Sequence, residues 1–323
     1  MSDRADMSDL IGHLLDGQMD DDDAVLFLSN LDIYSLTPEA IAGAVDAVMA
    51  RMVAFPSFPT AIDGCGTGGD GQHTYNISTA AALVAASAGA VVAKHGNRAV
   101  TSQSGSADVL EALGVKTNLS PARSAEILKE TGIAFLFAPS FHQGFARTAP
   151  LRKKVGHRTI FNLLGPLCNP AKVERQLIGV FDAHFCPIIA EAAKLLGRTH
   201  MMVVHGLDGS DELSVIDTTS VSTLAHGTIT SGIIRPEDAG IDYQDAGDLI
   251  GGTAIINARA LREVLEAKPS AYMEATIMNA GAMLMVGDIA PTLYDGATLA
   301  RQAIETGIAL KKLEQLITVS NRA

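Results

Sequence analysis

Over the first sixty residues the apolar positions recur every three or four residues, at Leu10, Ile11, Leu14 and Leu15 and again at Ile41, Val45, Val48, Met49 and Met52. That spacing places them on one face of helices, so about Asp9 to Phe55 is expected to form a small helical unit. Ala54 to Pro59, with Pro56 and Pro59 around Ser57 and Phe58, breaks the period and marks a junction. Beyond it, short apolar runs at Ala61-Ile62-Asp63, Ala90 to Ala93, Ile133 to Phe137, Leu177 to Phe181 and Met201 to Val204 alternate with glycine-rich turns and longer amphipathic stretches. Strands each followed by a helix predict a mostly parallel sheet covered on both faces. Ser214 to Gly232, where Thr, Ser and Val alternate, predicts an antiparallel addition, and helices return over Ala254 to Glu266, Ala271 to Gly287 and Gly296 to Ile317. The expected fold is α/β, with a small helical domain over residues 1–58, completed by helices from about 141–165, and a larger α/β domain over residues 59–323.

Composition narrows the class. With 323 residues, 47% of them hydrophobic, the chain can bury a sizeable core. Met1 to Asp6 lacks the basic start of a secretory signal and no later apolar run reaches membrane-spanning length, so a soluble cytoplasmic protein is expected. Cys65, Cys168 and Cys186 are too few and scattered for a disulfide framework or a zinc pair, which points to a reducing compartment. A net charge of -12 argues against an extended contact with nucleic-acid phosphates, so any phosphate must be captured locally. The acidic run Asp20 to Asp23 reads as a solvated helix start.

Local capture has a candidate. Gly64-Cys65-Gly66-Thr67-Gly68-Gly69-Asp70-Gly71 follows a short strand and precedes Asn76-Ile77-Ser78-Thr79 and an alanine-rich run. Glycine lets backbone N–H groups approach an anion, and Ser78 or Thr79 as N-cap would add the positive end of a helix. The glycine spacing fits neither a Walker loop nor the dinucleotide fingerprint, which argues against an ATPase or a dehydrogenase. After the next strand, Lys94-His95-Gly96-Asn97-Arg98-Ala99-Val100-Thr101-Ser102 and Ser104 to Asp108 bring two cations and several hydroxyls to the same sheet edge. That mixture suits a diphosphate together with a 5-phosphate, although Ser106 also reads as a plain helix cap. Asp211 and Glu212, on a loop marked by Gly206 and Gly209, are oxygen ligands of the kind Mg²⁺ accepts beside substrate phosphates.

These motifs resemble the signatures of the anthranilate phosphoribosyltransferase family. The resemblance rests on Gly66 to Asp70, Asn76 to Thr79, Lys94 to Arg98, Arg158 to Pro170, Val204 to Ser214 and Ile277 to Ala282, in order, from about Asp63 to the C-terminus. The third signature, continued by Gly105 to Gly114, is shared with the related pyrimidine nucleoside phosphorylases. The resemblance implies transfer of a phosphoribosyl group from phosphoribosyl pyrophosphate (PRPP) to anthranilate, by a cytoplasmic homodimer. It places PRPP on Gly66, Gly69, Asp70, Thr74, Asn76 to Thr79, Lys94 to Ser102 and Ser106, and Mg²⁺ on Ser78, Asp211 and Glu212. Anthranilate falls to Gly66, Asn97, His142, Arg152 and Gly165. His95 and His142 are expected to orient or pack rather than act as essential bases, and no protein nucleophile is required. Two features depart from the family pattern. Gln143-Gly144-Phe145 stands where many members place proline after the histidine, which alters the pocket wall, and the short passage from Leu28-Ser29-Asn30 to Leu36-Thr37-Pro38-Glu39 bears on the dimer. The rival readings are a pyrimidine nucleoside phosphorylase, opposed by Asp211, Glu212 and Arg152, and a non-enzymatic nucleic-acid-binding relative, opposed by the net charge.

Overall fold

The computed structural model describes residues 3–58, 60–99 and 103–322. Three helices open the chain, α1 (Arg4–Asp16), α2 (Asp21–Asn30) and α3 (Pro38–Ala50). Side-chain oxygens of Asp3, Asp20 and Thr37 accept first-turn N–H groups, and Pro38 begins α3 where an N–H would be unpaired anyway. Strands and helices then alternate: β1 (Ala61–Gly66), α4 (Ile77–Ser87), β2 (Val91–Gly96), α5 (Ser106–Ala112), α6 (Pro121–Thr131), β3 (Ile133–Phe137), α7 (Ala138–Phe141), α8 (Gly144–Val155), α9 (Phe161–Leu167), β4 (Arg175–Gly179), α10 (Phe185–Leu195) and β5 (His200–Gly206). A hairpin of β6 (Thr219–Ala225) and β7 (Thr228–Ile234) follows, and α11 (Ala254–Leu265), α12 (Ala271–Val286), α13 (Leu293–Glu305) and α14 (Ile308–Ser320) end the described chain.

The strands form one sheet in the order β3-β2-β1-β4-β5-β6-β7. The first five run parallel and the hairpin adds antiparallel to β5, as the Thr/Ser/Val alternation predicts. Because winding reverses between β1 and β4, the loops leaving their carboxyl ends diverge and open a crevice. Alternation along each strand divides the core. Ile62, Leu177, Met202 and Val204 face the cluster under α4 and α12, while Ile178, Met201 and Val203 face the one shared by α1, α3 and α10. The helical unit is therefore continuous with one face of the sheet, and α8 packs on α1 and α2. No helix among the described residues is long and apolar enough to cross a membrane.

Several boundaries differ from expectation. β1 runs through Gly66, leaving only Thr67 to Gly71 as loop, and β2 runs through Gly96, so Lys94 and His95 are buried strand residues rather than part of a turn. The helix after the glycine loop starts at Ile77 with Asn76 as N-cap, so neither Ser78 nor Thr79 caps it, and Gly105 rather than Ser106 precedes α5. Gly307, at φ 73°, splits the last expected helix into α13 and α14.

Candidate active site

The glycine loop leaves β1 at the reversal point. Gly68, Gly69 and Gly71 have φ of 66°, 71° and 79°, and a Cβ on any of them would meet nothing, so glycine is present for its backbone freedom. With no side chains on these glycines to pack, the loop is held by tethers. Thr67 N–H donates to the Gly179 carbonyl (2.9 Å), Gly68 N–H to Asp211 Oδ2 (2.6 Å), and Arg158 Nη2 to the Gly69 carbonyl. Asp70 accepts from Gln72 N–H (3.2 Å) and from Asp211 N–H (3.4 Å), which ties the glycine loop to the acidic loop.

α4 lacks a side-chain cap of its own, and Glu212 takes that place from across the crevice, its Oε1 accepting Ser78 N–H (3.1 Å). Lys94 Nζ donates to the Gly64 carbonyl (2.8 Å) and the Ser78 hydroxyl (3.3 Å). The side chains of Ile77 and Thr79 are buried and their N–H groups donate to the Tyr75 (2.8 Å) and Asn76 (3.1 Å) carbonyls, so they offer a ligand in the crevice only the positive end of the helix. Burial, then the charge of Asp70, holds the Asp211 carboxyl well above the usual range. Burial and Asp211 do the same for Glu212 against the opposing charge of Lys94. Three crowded carboxylates facing one ammonium leave an excess of negative charge that a divalent cation would relieve. The donors are hard oxygens of Asp211, Glu212 and Ser78, which fit Mg²⁺. No cluster of three His, Cys, Asp or Glu poised to enclose a metal occurs among the described residues, so further oxygens must come from a ligand.

A second turn closes beside this site. Asp108 Oδ2 accepts N–H groups from both Ala99 and Gly105 (2.9 Å each), pinching the two ends together. A Cβ on Gly105 would collide with the backbone of Arg98 and Ala99. The Arg98 guanidinium is held away by Asp108 (3.1 Å) and Glu111 (2.8 Å), while Ser106 donates to the Asn97 carbonyl (3.2 Å). Val100, Thr101 and Ser102, and Pro59 of the expected junction, lie outside the described residues. Thr74 pairs with Ile250, and the amide of Asn76 bridges Asn257 and the Ser104 carbonyl, drawing the segment after the glycine loop toward both neighbours.

Of the residues expected to receive the aromatic acid, His142, Arg152 and Gly165 lie along a wall of rings, while Gly66 sits against Asp211, and Asn97 lies in the turn, bonded to Ser106. His95 and His142 stand edge to face at 5.3 Å, His142 lies 5.3 Å from Phe145, and Phe145 lies 5.7 Å from Phe161. The half-buried Arg152 guanidinium sits 5.8 Å over Phe161 and pairs with no carboxylate among the described residues. Gly165 faces open space where a side chain would project. Burial, with the charge of His142, pushes His95 down to about 3 against a hydrogen bond to the Gly165 backbone. Burial lowers His142 too, although its Nε2 lies 2.8 Å from the Cys168 carbonyl. Both rings are neutral near pH 7. His95 Nε2 and His142 Nδ1 are buried without a hydrogen-bond partner.

Sequence reasoning missed the support beneath. Asp63, fully buried, accepts from His95 N–H (3.3 Å), Asn169 Nδ2 (2.8 Å) and Gln176 Nε2 (3.3 Å), fixing β2 against β1 and β4. Tyr272 donates to the Asn76 carbonyl (3.1 Å). Arg158, stacked over Phe181 at 4.2 Å, appeared only inside a motif.

The chain matches the glycosyl transferase family, a/b domain, over residues 59–310. Anthranilate phosphoribosyltransferase of Rhodopseudomonas palustris (strain BisB18) is 48% identical over 296 residues, 92% of this chain and 87% of that one. The crystal structure of anthranilate phosphoribosyltransferase from Thermus thermophilus superposes with a TM-score of 0.94 at 35% identity, covering 99% of this chain and 96% of that one. The Saccharomyces cerevisiae enzyme, solved in complex with PRPP and Mg, superposes at 0.88 with 28% identity over 98% and 93% of the two chains.

Proposed function

The chain belongs to the anthranilate phosphoribosyltransferase family and moves the 5-phosphoribosyl group of PRPP onto the amine of anthranilate, a step of tryptophan biosynthesis, and from that premise we propose how its residues do so. The diphosphate lies against the N–H groups of Gly69 to Gly71 and the positive end of α4, beside Lys94, with the turn from Asn97 to Ser106 taking the remaining phosphate. Asp211, Glu212 and the Ser78 hydroxyl hold Mg²⁺, which when bound supplies positive charge to the departing diphosphate. The Asp70 carboxylate organises the two loops, and Asp70 meets phosphate only through its N–H. The observation that carries this reading is that Asp211 and Glu212 are fastened to Gly68 and Ser78, so the metal carboxylates and the phosphate cradle occupy one place.

As the bond from ribose C1 to the diphosphate oxygen lengthens, C1 gains oxocarbenium character, the amine lone pair forms the new C–N bond, and the amine gives up a proton. Preorganised donors around the leaving group supply most of the acceleration. Arg152 holds the anthranilate carboxylate, with Asn97 and Gly66 at the strand ends and His142, Phe145 and Gly165 shaping the pocket. Neutral His95 and His142 orient the acceptor. The reading extends to a cytoplasmic homodimer whose smaller domain, residues 1–58 with helices from about 141–165, carries this wall.

Anthranilate fluorescence should fall on adding PRPP and Mg²⁺. Arg152→Gln should raise KM for anthranilate by about tenfold, the loss expected for one charged hydrogen bond, and leave KM for PRPP unchanged. A folded wild-type protein that leaves the fluorescence constant at high concentration defeats the assignment.

A further inference from the structure

Arg158 lies between α8 and α9, outside every residue assigned above to PRPP, metal or acceptor. Its guanidinium stacks on Phe181 at 4.2 Å and donates to the Gly69 carbonyl, and it pairs with no carboxylate among the described residues. Phe181 holds the same loop from its other end, for its N–H donates to Thr67 Oγ1 (3.1 Å), while Thr67 N–H donates to Gly179 (2.9 Å). Thr67, Gly68 and Gly69 are thus each tethered by a different segment. The tethers on Gly68 and Gly69 have opposite polarity, an acceptor on the N–H and a donor on the carbonyl.

A loop with three left-handed glycines that have no side chains to pack has much backbone entropy to lose on ligand binding. Fixing it beforehand lowers that loss. The Asp211 tether uses a carboxylate assigned to the metal, which leaves Arg158 as the tether on the glycines that does not share its atoms with Mg²⁺. Pulling on the Gly69 carbonyl also sets the plane of the following peptide, and with it the direction of the Asp70 N–H. We infer that Arg158, clamped on Phe181, is a positioning residue that holds the glycine loop in its diphosphate-receiving shape. This rests on the reading of that loop as the PRPP cradle.

The test compares wild type, Arg158→Gln and Arg158→Lys. Steady-state rates are measured with each substrate varied, and inorganic diphosphate with Mg²⁺ is titrated calorimetrically without turnover. Arg158→Gln should raise both KM for PRPP and Kd for diphosphate by about tenfold, with KM for anthranilate and the melting temperature unchanged. Arg158→Lys, which keeps a donor but stacks less well, should recover part of the loss. An unchanged diphosphate Kd in folded Arg158→Gln overturns the inference, as does an equal rise in both KM values. If Arg158→Gln does not fold, Phe181→Leu removes the ring beneath the guanidinium, and an unaltered diphosphate Kd there overturns it equally. A wild type that binds diphosphate through Arg158 yet leaves anthranilate unreacted would defeat the acceptor assignment and spare this one.

Discussion

His95 shows what burial does to one titratable group. At 5% exposure its imidazole stays neutral down to about pH 3, whereas in the unfolded chain it takes up a proton near the ordinary value of about 6.5. Between those limits the unfolded state binds the extra proton, so stability is complete above about pH 6.5 and falls as the solution is acidified. The contribution is about 1.4 kcal/mol per pH unit, or about 2 kcal/mol between pH 6.5 and 5. His95→Gln removes it, so ligand-free variant protein should lose less of its urea midpoint than wild type between pH 7.5 and 5. Parallel losses would show that His95 is not held neutral by the fold. The same neutrality bears on chemistry, because a ring whose conjugate acid is that strong orients an amine more readily than it keeps its proton.

At the scale of elements, two glycines that look alike in the sequence have different reasons to be there. Gly68 needs only its positive φ, and Gly68→Ala should cost about 1 kcal/mol, whereas the Cβ in Gly105→Ala meets the backbone of Asn97 to Ala99 across a pinched turn and should cost about 1–3 kcal/mol more. Urea midpoints order the two variants, and equal losses would remove the steric account of Gly105. The same contrast explains what could be read beforehand. β3 was legible residue for residue over Ile133 to Phe137, because an apolar run between turn signals is a local pattern. The end of β2 was not, since Lys94 and His95 look like surface residues until their partners are known: Gly64, thirty residues away, for the ammonium and Asp63 for the His95 N–H. The cap of α4 escaped for the same reason, as Ser78 N–H finds Glu212 across 134 residues of sequence. The candidate motifs were visible as residue types, and it took the sheet order to fasten the acidic loop to the glycine loop.

For the whole molecule, the site works against the fold that carries it. Asp70, Asp211 and Glu212 crowd together, with Lys94 the cation that offsets Glu212, so the ligand-free protein holds like charges in a partly desolvated crevice. Replacing Asp211 with Asn and Glu212 with Gln keeps oxygen acceptors for the Gly68 and Ser78 N–H groups while removing two charges. The double variant should therefore unfold at a higher urea concentration than wild type when no ligand is present. Binding reverses the order. Mg²⁺ with PRPP at a hundredfold excess over Kd should stabilise wild type by about 2.7 kcal/mol, and this gain should vanish in the double variant along with turnover at saturating Mg²⁺. Thermal unfolding with and without Mg²⁺ and PRPP measures both effects on the same samples. An unchanged ligand-induced shift would take Asp211 and Glu212 out of the metal site, and a less stable ligand-free variant would mean that their hydrogen bonds to Gly68 and Ser78 outweigh their repulsion.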